Sequence, residues 1–304
     1  MFVIKPESAA DWIVALDVGG GSVKSNVFPP SGRLLAGPTV TPIASGGSAE
    51  TILDALAGII ERERARVPHG AVWRAALGFP GPFDYASGVS KIYGVAKYDA
   101  LFGVNVGAAL QGRLRGRPPS ELRFFNDALA AVVGEACVGA GCGAARLVGI
   151  TLGTGLGSAF LMDGRPVEDA ERSDVPAGGW LYPCQFEGRS ADEIFSTRGV
   201  LARASAAGFY GADAPRLVLL AEGGDERAQM FWAHFGADLG RFLRPYLDAF
   251  AADRLVVMGG LAAGWKFFGP ALRAELGDHT AECGGLGALA ALEGLRDLIG
   301  VKSI

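Results

Sequence analysis

Residues 13–24 read IVALDVGGGSVK, and this stretch decides how the rest of the chain is interpreted. The apolar run at 13–17 ends in three glycines, and residues 24–28 resume with alternating character. This pattern predicts a β-hairpin with a glycine-rich turn. Because glycine has no Cβ, the backbone N–H groups of such a turn can converge on an anion. A tight hairpin turn that binds nothing is the alternative interpretation.

A second glycine turn repeats the pattern in the other half of the chain. Residues 151–157 read TLGTGLG, between predicted strands at 147–152 and 158–162, and Asp163-Gly164 closes the second strand with a hairpin turn. Two matched turns predict two similar α/β lobes with a cleft between them, each lobe presenting one turn. Such a pair is suited to bind a polyphosphate.

Two other glycine-rich phosphate motifs are excluded by spacing. A P-loop ends in Gly-Lys-Ser/Thr, whereas Val23 precedes Lys24. A Rossmann turn opens a helix, whereas the residues after Gly21 have strand character.

The remaining pattern predicts an α/β protein with mixed sheets. Helices are predicted at 50–67, 106–114, 126–136, 191–206, 226–250 and 284–298, and further strands at 34–40, 72–77, 122–125 and 255–258. Residues 78–82 predict a loop.

Composition excludes several classes of function. The 304 residues carry a net charge of −4 with no long block of like charge, so nucleic acid and anionic membranes are not expected partners. Residues 1–12 are charged and match neither a secretory signal nor a membrane span. The four cysteines form no C-x-x-C pair, which predicts reduced thiols in a cytoplasmic protein and no structural zinc.

Five motifs in this chain order resemble the superfamily that joins sugar kinases, actin and heat-shock chaperone ATPases, in the form found in the ROK family and related glucokinases. They are DVGGGSVK at 17–24, FPGPFD at 79–84, FNDA at 125–128, TLGTGLG at 151–157 and VMGG at 257–260. The resemblance implies ATP-dependent phosphorylation of a hexose by two actin-like (ribonuclease H-like) lobes. It implies an N-terminal lobe at 1–127 and a C-terminal lobe at 128–304, whose last helix packs back on the first lobe.

The resemblance also implies the roles of the sugar-side residues. Asp127 would take the proton of the attacking sugar hydroxyl, which is itself a poor nucleophile. Asn126 would hold a neighbouring hydroxyl, and Gly81 and Pro82 belong to the sugar-side loop. An N-cap for the helix that follows is the alternative role of the Asn-Asp pair.

The nucleotide side is implied in the same way. The expected phosphate and adenosine contacts are Asp17, Gly19, Gly20, Gly21, Ser22, Lys24, Thr151, Gly153, Thr154, Gly155, Gly259 and Gly260. Asp17 would also orient a hydrated Mg²⁺, because Mg²⁺ prefers carboxylate oxygens and water. The alternatives are a capped turn for Asp17, a surface lysine for Lys24 and a plain strand-to-helix turn for Gly259-Gly260.

The chain departs from the ROK pattern in two places. The family's zinc-binding histidine and cysteine cluster is absent, since residues 177–180 read AGGW and Cys184 stands alone. Gly21 replaces the usual threonine. Asp192 and Glu193 align with the segment that supplies a sugar-binding glutamate, although two solvent-facing acids early in a helix have the same appearance.

Other functions stay open at this stage. Kinases that use N-acetylhexosamine or polyphosphate, and phosphotransferases acting on a small acid or polyol, have similar motifs. A catalytically silent sugar sensor is a further alternative, and a homodimer is a possible assembly. A DNA-binding repressor is disfavoured, because only about a dozen residues precede the first strand.

Overall fold

The computed structural model describes residues 11–32, 36–95, 97–168 and 172–300. The chain divides into two compact units. The first runs up to Gly134 and includes the chain from Ala288 onward, and the second is Glu135–Gly287.

The first unit is built on a mixed five-stranded sheet. In chain order its elements are β1 (Trp12–Val18), β2 (Ser22–Phe28), β3 (Thr39–Pro42), α1 (Ala49–Arg64), β4 (Trp73–Phe79), β5 (Phe83–Asp84), β6 (Val89–Ser90), α2 (Val106–Gln111), β7 (Leu122–Asn126) and α3 (Asp127–Val138). The strand order is β3-β2-β1-β4-β7, and β5 pairs with β6 separately. Strands β1, β4 and β7 are parallel, whereas the β1–β2–β3 meander is antiparallel.

The core of this unit follows from apolar periodicity. Strand β1 is buried along nearly its whole length, as expected for a central strand covered on both faces. Helix α1 begins at Ser48, whose hydroxyl accepts the Thr51 N–H at 3.2 Å. Its buried face includes Ile52, Leu56 and Ile60, which pack into the same hydrophobic cluster as β1.

The second unit repeats this architecture. Its elements are β8 (Arg146–Leu152), β9 (Leu156–Met162), β10 (Arg165–Pro166), β11 (Gln185–Phe186), β12 (Arg189–Ser190), α4 (Ala191–Phe195), α5 (Thr197–Ala206), α6 (Ala214–Glu222), α7 (Glu226–Phe250), β13 (Arg254–Met258), α8 (Trp265–Leu276) and β14 (Thr280–Cys283). The sheet order β10-β9-β8-β13-β14 has the same pattern as the first sheet. The predicted hairpin turn after β9 is formed, with Asp163 and Gly164 both at positive φ.

Helices α7 and α8 approach each other closely because two glycines lie between them. A Cβ at Gly236 would be 2.1 Å from the Phe268 carbonyl oxygen, and one at Gly240 would be 2.8 Å from that of Leu272. Aromatic rings of both helices, including Trp232, fill the core at this contact. Within the described ranges, no helix combines the length and apolarity that crossing a bilayer requires.

The closing helix α9 (Ala290–Gly300) returns to the first unit, where it packs on β1 and β4. Glycines again allow a close approach, here to α3. A Cβ at Gly134 would be 1.9 Å from the Ala290 carbonyl oxygen, and one at Gly294 would be 1.8 Å from that of Ala130. Residues 128–134 therefore belong with the first unit, and the division lies after Gly134 where the sequence predicted 127.

Several predicted elements differ in extent. The helix predicted at 191–206 breaks at Ser196, whose extended backbone and hydroxyl begin α5. The helix predicted at 284–298 starts at Ala290, because the Gly284 N–H still bonds to strand β13 at the Val257 carbonyl. Helix α6, capped by Asp213, was missed.

The third predicted strand, at 34–40, is only partly testable. Residues 34 and 35 lie outside the described residues. The observed strand β3 begins at Thr39, where its register with β2 starts at Ser25.

Candidate active site

The first glycine turn connects β1 to β2, and other segments of the chain hold all three of its glycine carbonyls. The Tyr98 hydroxyl donates to the Gly19 carbonyl oxygen at 2.6 Å, and the Ser45 hydroxyl donates to that of Gly20 at 2.5 Å. The Ile43 N–H donates to the Gly21 carbonyl at 3.2 Å. The carbonyl dipoles of the turn are therefore directed into the protein.

The N–H groups of this turn are oriented differently. The Gly19 N–H closes the turn on the Ser22 carbonyl at 3.0 Å. The N–H groups of Gly20 and Gly21 have no acceptor among the described residues. Two such N–H donors, next to carbonyls that are already satisfied, are suited to bind an anion.

Asp17 and Lys24 face each other across the β1–β2 hairpin, directly beside this turn. They are register partners, and the Lys24 ammonium donates to Asp17 Oδ2 at 2.8 Å. The Asp17 carboxylate is nearly buried, whereas the Lys24 side chain is about a third exposed. Lys24 is thus a partly exposed lysine on a strand that also pairs with Asp17.

Asp127 is the first residue of α3 and follows β7, which pairs in parallel with β4. Burial raises the pKa of its carboxyl to about 6, with a further contribution from the negative charge of Asp17. The Ala128 N–H, which donates to Oδ1 at 2.9 Å, lowers this pKa, as does the charge of Lys24. The structure thus brings Asp17, Lys24 and Asp127 together.

Asn126 caps α3, since its Oδ1 accepts the Leu129 N–H at 2.9 Å. Its amide also donates to the Tyr85 hydroxyl at 3.0 Å, and that hydroxyl donates to the Phe79 carbonyl at 3.1 Å. Among the described residues, these contacts use one amide proton and one lone pair of Asn126 and leave one of each. The capping role that the sequence offered as an alternative is therefore present. It occupies only part of the hydrogen-bonding capacity of the Asn126 side chain.

The sugar-side loop follows β4 directly. Gly81 and Pro82 are exposed and are joined by a cis peptide bond. A Cβ at Gly81 would be 3.5 Å from the Tyr85 hydroxyl, so this loop lies beside the Asn126–Tyr85 contact.

The second glycine turn connects β8 to β9, and the region around α4 and α5 holds it. The Gly153 N–H bonds to the Gly155 carbonyl at 3.1 Å, while the Gly153 carbonyl accepts both the N–H and the hydroxyl of Thr197, at 2.8 and 2.7 Å. The Leu156 N–H donates to Asp192 Oδ1 at 2.8 Å. Thr154 and Gly155 are exposed at the tip, and Thr151 lies inside strand β8.

Asp192 and Glu193, the predicted sugar contacts, have different partners here. Asp192 bonds to the second glycine turn and to Arg198, whose guanidinium donates to Oδ2 at 2.9 Å. Glu193 forms a capping box with Ser190, and these hydrogen bonds lower the pKa of its carboxyl. Contact with a sugar stays a prediction for both residues.

Gly259 and Gly260, the predicted adenosine contacts, follow β13 directly. Gly259 has φ 94°, and a Cβ there would be 2.4 Å from the Leu152 carbonyl oxygen, so the motif packs on the backbone next to the second glycine turn. Gly260 begins a short 3₁₀ helix and has open space where a Cβ would be.

The carboxylate beside the first glycine turn is a suitable ligand for magnesium. Asp17 supplies a nearly buried carboxylate beside a turn suited to phosphates, and Mg²⁺ is usually held by one or two carboxylates together with substrate phosphates. Over the described ranges, no cluster of three or more His, Cys, Asp or Glu side chains could hold a metal on its own.

Sequence reasoning missed Ser45, Lys97, Tyr98 and Thr197, which support or cover the turns. Tyr98 is fully buried and in the left-handed conformation, at φ 59°. It lies 79 residues from its partner Gly19, and no local pattern marks it. Thr197 could have been placed at a helix start from the sequence, because the serine immediately before it is a helix N-cap.

Comparison with known proteins identifies the family and the fold of this chain. Residues 13–282 match the ROK family. A glucokinase from Thermotoga maritima is 25% identical over 289 residues, covering 88% of this chain and 87% of the relative. The crystal structure of a ROK hexokinase from Thermus thermophilus has a TM-score of 0.72 and 26% identity, covering 93% of this chain and 96% of that one.

A ROK family glucokinase from Streptomyces griseus, in complex with glucose and AMPPNP, has the same fold, with a TM-score of 0.73 at 20% identity over 94% of this chain and 98% of that one. The family match spans both units and every motif described above. The chain therefore belongs to the ROK family and has the actin-like fold of its sugar kinases.

Proposed function

We propose that this chain transfers the γ-phosphoryl group of ATP to a hydroxyl group of a hexose, with Asp127 as general base. The chain is a sugar kinase, as its glucokinase and hexokinase relatives are. The observation that carries the finer proposal is the Asp127 carboxyl, which has a pKa of about 6 and stands beside Asp17 and the first glycine turn. A base with a pKa near the working pH is the efficient choice for proton transfer.

The proposed step moves one proton and one phosphoryl group. The hydroxyl oxygen attacks the γ-phosphorus as its proton passes to the Asp127 carboxylate, and the bond from that phosphorus to the β–γ bridging oxygen breaks. The products are a sugar phosphate and ADP, and Asp127 then returns its proton to solvent. The transition state is loose, so most of the rate comes from positioning and charge stabilisation.

Neighbouring groups would orient the sugar. Asn126 retains one amide proton and one lone pair beyond its contacts with Tyr85 and Leu129, which suits it to a sugar hydroxyl. Gly81 and Pro82 would supply the backbone of the sugar-side loop.

Each glycine turn would offer backbone groups to phosphate oxygens. The N–H groups of Gly20 and Gly21 would bind phosphate oxygens, as would the tip of the second turn at Thr154 and Gly155, and adenosine would lie on Gly259 and Gly260. Asp17 would hold Mg²⁺ through water, and the Lys24 ammonium lies beside that carboxylate. Bound Mg²⁺ neutralises charge on the donor phosphates.

The test is a coupled assay of the purified protein with a panel of hexoses. Asp127→Asn should lower kcat by roughly 10²-fold or more, the usual contribution of a positioned base, while sugar and ATP still bind. Glu222→Gln, on the exposed side of α6, is the matched control and should leave kcat unchanged. Near-normal turnover by Asp127→Asn would overturn the base assignment.

The pH profile gives a second readout. The base must be ionised, and the pKa of Asp127 is raised to about 6, so kcat/KM should be level above pH 6 to 7 and fall about tenfold per unit below it. The residual rate of Asp127→Asn should lack this acid limb. If the variant kept the same fall in kcat/KM at low pH, that fall would report the ionisation of another group.

The assay also separates the remaining alternatives. Parallel arms with N-acetylhexosamines as acceptors and polyphosphate as donor would identify those related activities. A protein that binds a sugar but transfers no phosphate from any donor would be the silent sensor.

A further inference from the structure

Lys97 lies directly on the first glycine turn. A Cβ at Gly20 would be 2.5 Å from the Lys97 ammonium nitrogen and 2.6 Å from its Cδ. Gly20 is not among the glycines with positive φ, so its backbone conformation alone does not require glycine. The absent side chain instead makes room for the end of a lysine.

The backbone that carries this lysine is fixed to the same turn. Tyr98, the next residue, has a fully buried side chain whose hydroxyl donates to the Gly19 carbonyl at 2.6 Å. Its N–H donates to the Ser45 carbonyl at 2.7 Å, and Ser45 in turn donates to Gly20. The position of Lys97 over the turn is therefore preorganised.

A further cation near the turn would offset the negative charges that meet there when phosphates bind. Asp17 and Asp127 are close enough for one to raise the pKa of the other, and a triphosphate adds several more negative charges. The Lys24 ammonium, 2.8 Å from Asp17 Oδ2, is one cation beside the turn. Lys97 brings a second ammonium to the side of the turn where Gly20 lacks a side chain.

We infer that Lys97 binds the phosphate oxygens of the phosphoryl donor at the first glycine turn. The inference rests on the proposed function, which puts donor phosphates at residues 19–21. A lysine suits this role because its ammonium is a compact point charge that can follow the phosphoryl group. No motif in the sequence marks this residue.

The test measures nucleotide binding by calorimetry in the absence of sugar, with ATP, ADP and AMP as probes. Lys97→Met keeps the aliphatic stem and removes the charge. It should weaken ATP binding about 10- to 100-fold, the range for a charge-assisted hydrogen bond, and change AMP binding little. Lys97→Arg should recover part of the loss, and Lys266→Met, on the exposed face of α8, should bind ATP like the wild type.

The outcomes separate this inference from the proposed function. If the wild type turns over and Lys97→Met binds ATP as tightly, the Lys97 assignment is wrong and the kinase proposal stands. If Lys97→Met weakens ATP and AMP equally and lowers the melting temperature, its role is structural and the inference also fails. Asp127→Asn should bind ATP normally, so an error in the base assignment would leave the binding test intact.

Discussion

The two glycine turns occupy the same place in two sheets of the same strand order, yet they are supported by different chemistry. The first spans Val18 to Val23 and is flanked by the ion pair of Asp17 and Lys24. The second spans Leu152 to Leu156 and is one residue shorter. The register partners in the equivalent place are Thr151 and Gly157, so the flanking ion pair belongs to the first turn alone among these two hairpins.

Their supporting contacts differ in charge as well. Hydroxyl groups of Tyr98 and Ser45 hold carbonyls of the first turn. The second turn is held partly by the Asp192 carboxylate, which accepts the Leu156 N–H and is balanced by Arg198. The common strand order therefore gives each turn the same place in its sheet, whereas segments outside each sheet supply the charge that a phosphate would meet.

The largest expected effect concerns the packing of the second turn. Gly259→Ala would force a Cβ to within 2.4 Å of the Leu152 carbonyl oxygen, on a residue with φ 94°. Strain and backbone displacement together should lower the free energy of unfolding by about 3 kcal/mol. Chemical denaturation measures this change.

Gly260→Ala is the matched control for that experiment. A Cβ at Gly260 has open space, so this variant should differ from the wild type by less than about 0.5 kcal/mol. Equal stability of the two variants would mean that the second turn does not depend on close backbone packing.

Removing the hydroxyl group that holds the first turn should have an intermediate effect on stability. Tyr98→Phe removes the hydroxyl that donates to the Gly19 carbonyl at 2.6 Å and leaves that carbonyl without its donor. The free energy of unfolding should fall by roughly 1–2 kcal/mol, and KM for ATP should rise because the turn loosens.

Tyr210→Phe, at a side chain that is 82% exposed, should change neither quantity. If Tyr98→Phe changed stability but left KM for ATP untouched, the hydroxyl would support the fold without positioning the turn.

Local patterns predicted much of this structure. Strand β1, helix α7 and both glycine turns follow from periodicity and glycine placement, and α7 has the predicted bounds. Asp17 and Asp127 could be named because the motifs that contain them resemble those of the ROK family, and each stands at the end of a strand.

The supports of the turns could not be predicted in the same way. Tyr98 and Lys97 reach the first turn through the tertiary fold, from a segment that has no helical or strand periodicity. Asp192 could be noticed as an acid in the right segment, but its partner, the Leu156 N–H, lies 36 residues away. A single sequence contains no information on such pairings beyond residue type.

The smallest expected effect concerns Gly21, where the first turn departs from its family. A Cβ at Gly21 meets nothing within 4 Å, and its φ lies outside the positive range, so a side chain should be accepted. Gly21→Thr should leave the free energy of unfolding within about 0.5 kcal/mol of the wild type. It should lower KM for ATP by roughly 2- to 10-fold, since one new hydroxyl can contribute about 0.5–1.5 kcal/mol through a hydrogen bond to phosphate.

Gly21→Val is the matched control, because valine has the shape of threonine without its hydroxyl. It should be as stable as Gly21→Thr and show no gain in ATP affinity. Equal KM values for the two variants would show that the backbone N–H groups of the first turn already provide all the contact that a phosphate can make there. Both turns would then contact phosphate through their backbone alone, and they would differ only in the side chains that hold them in place.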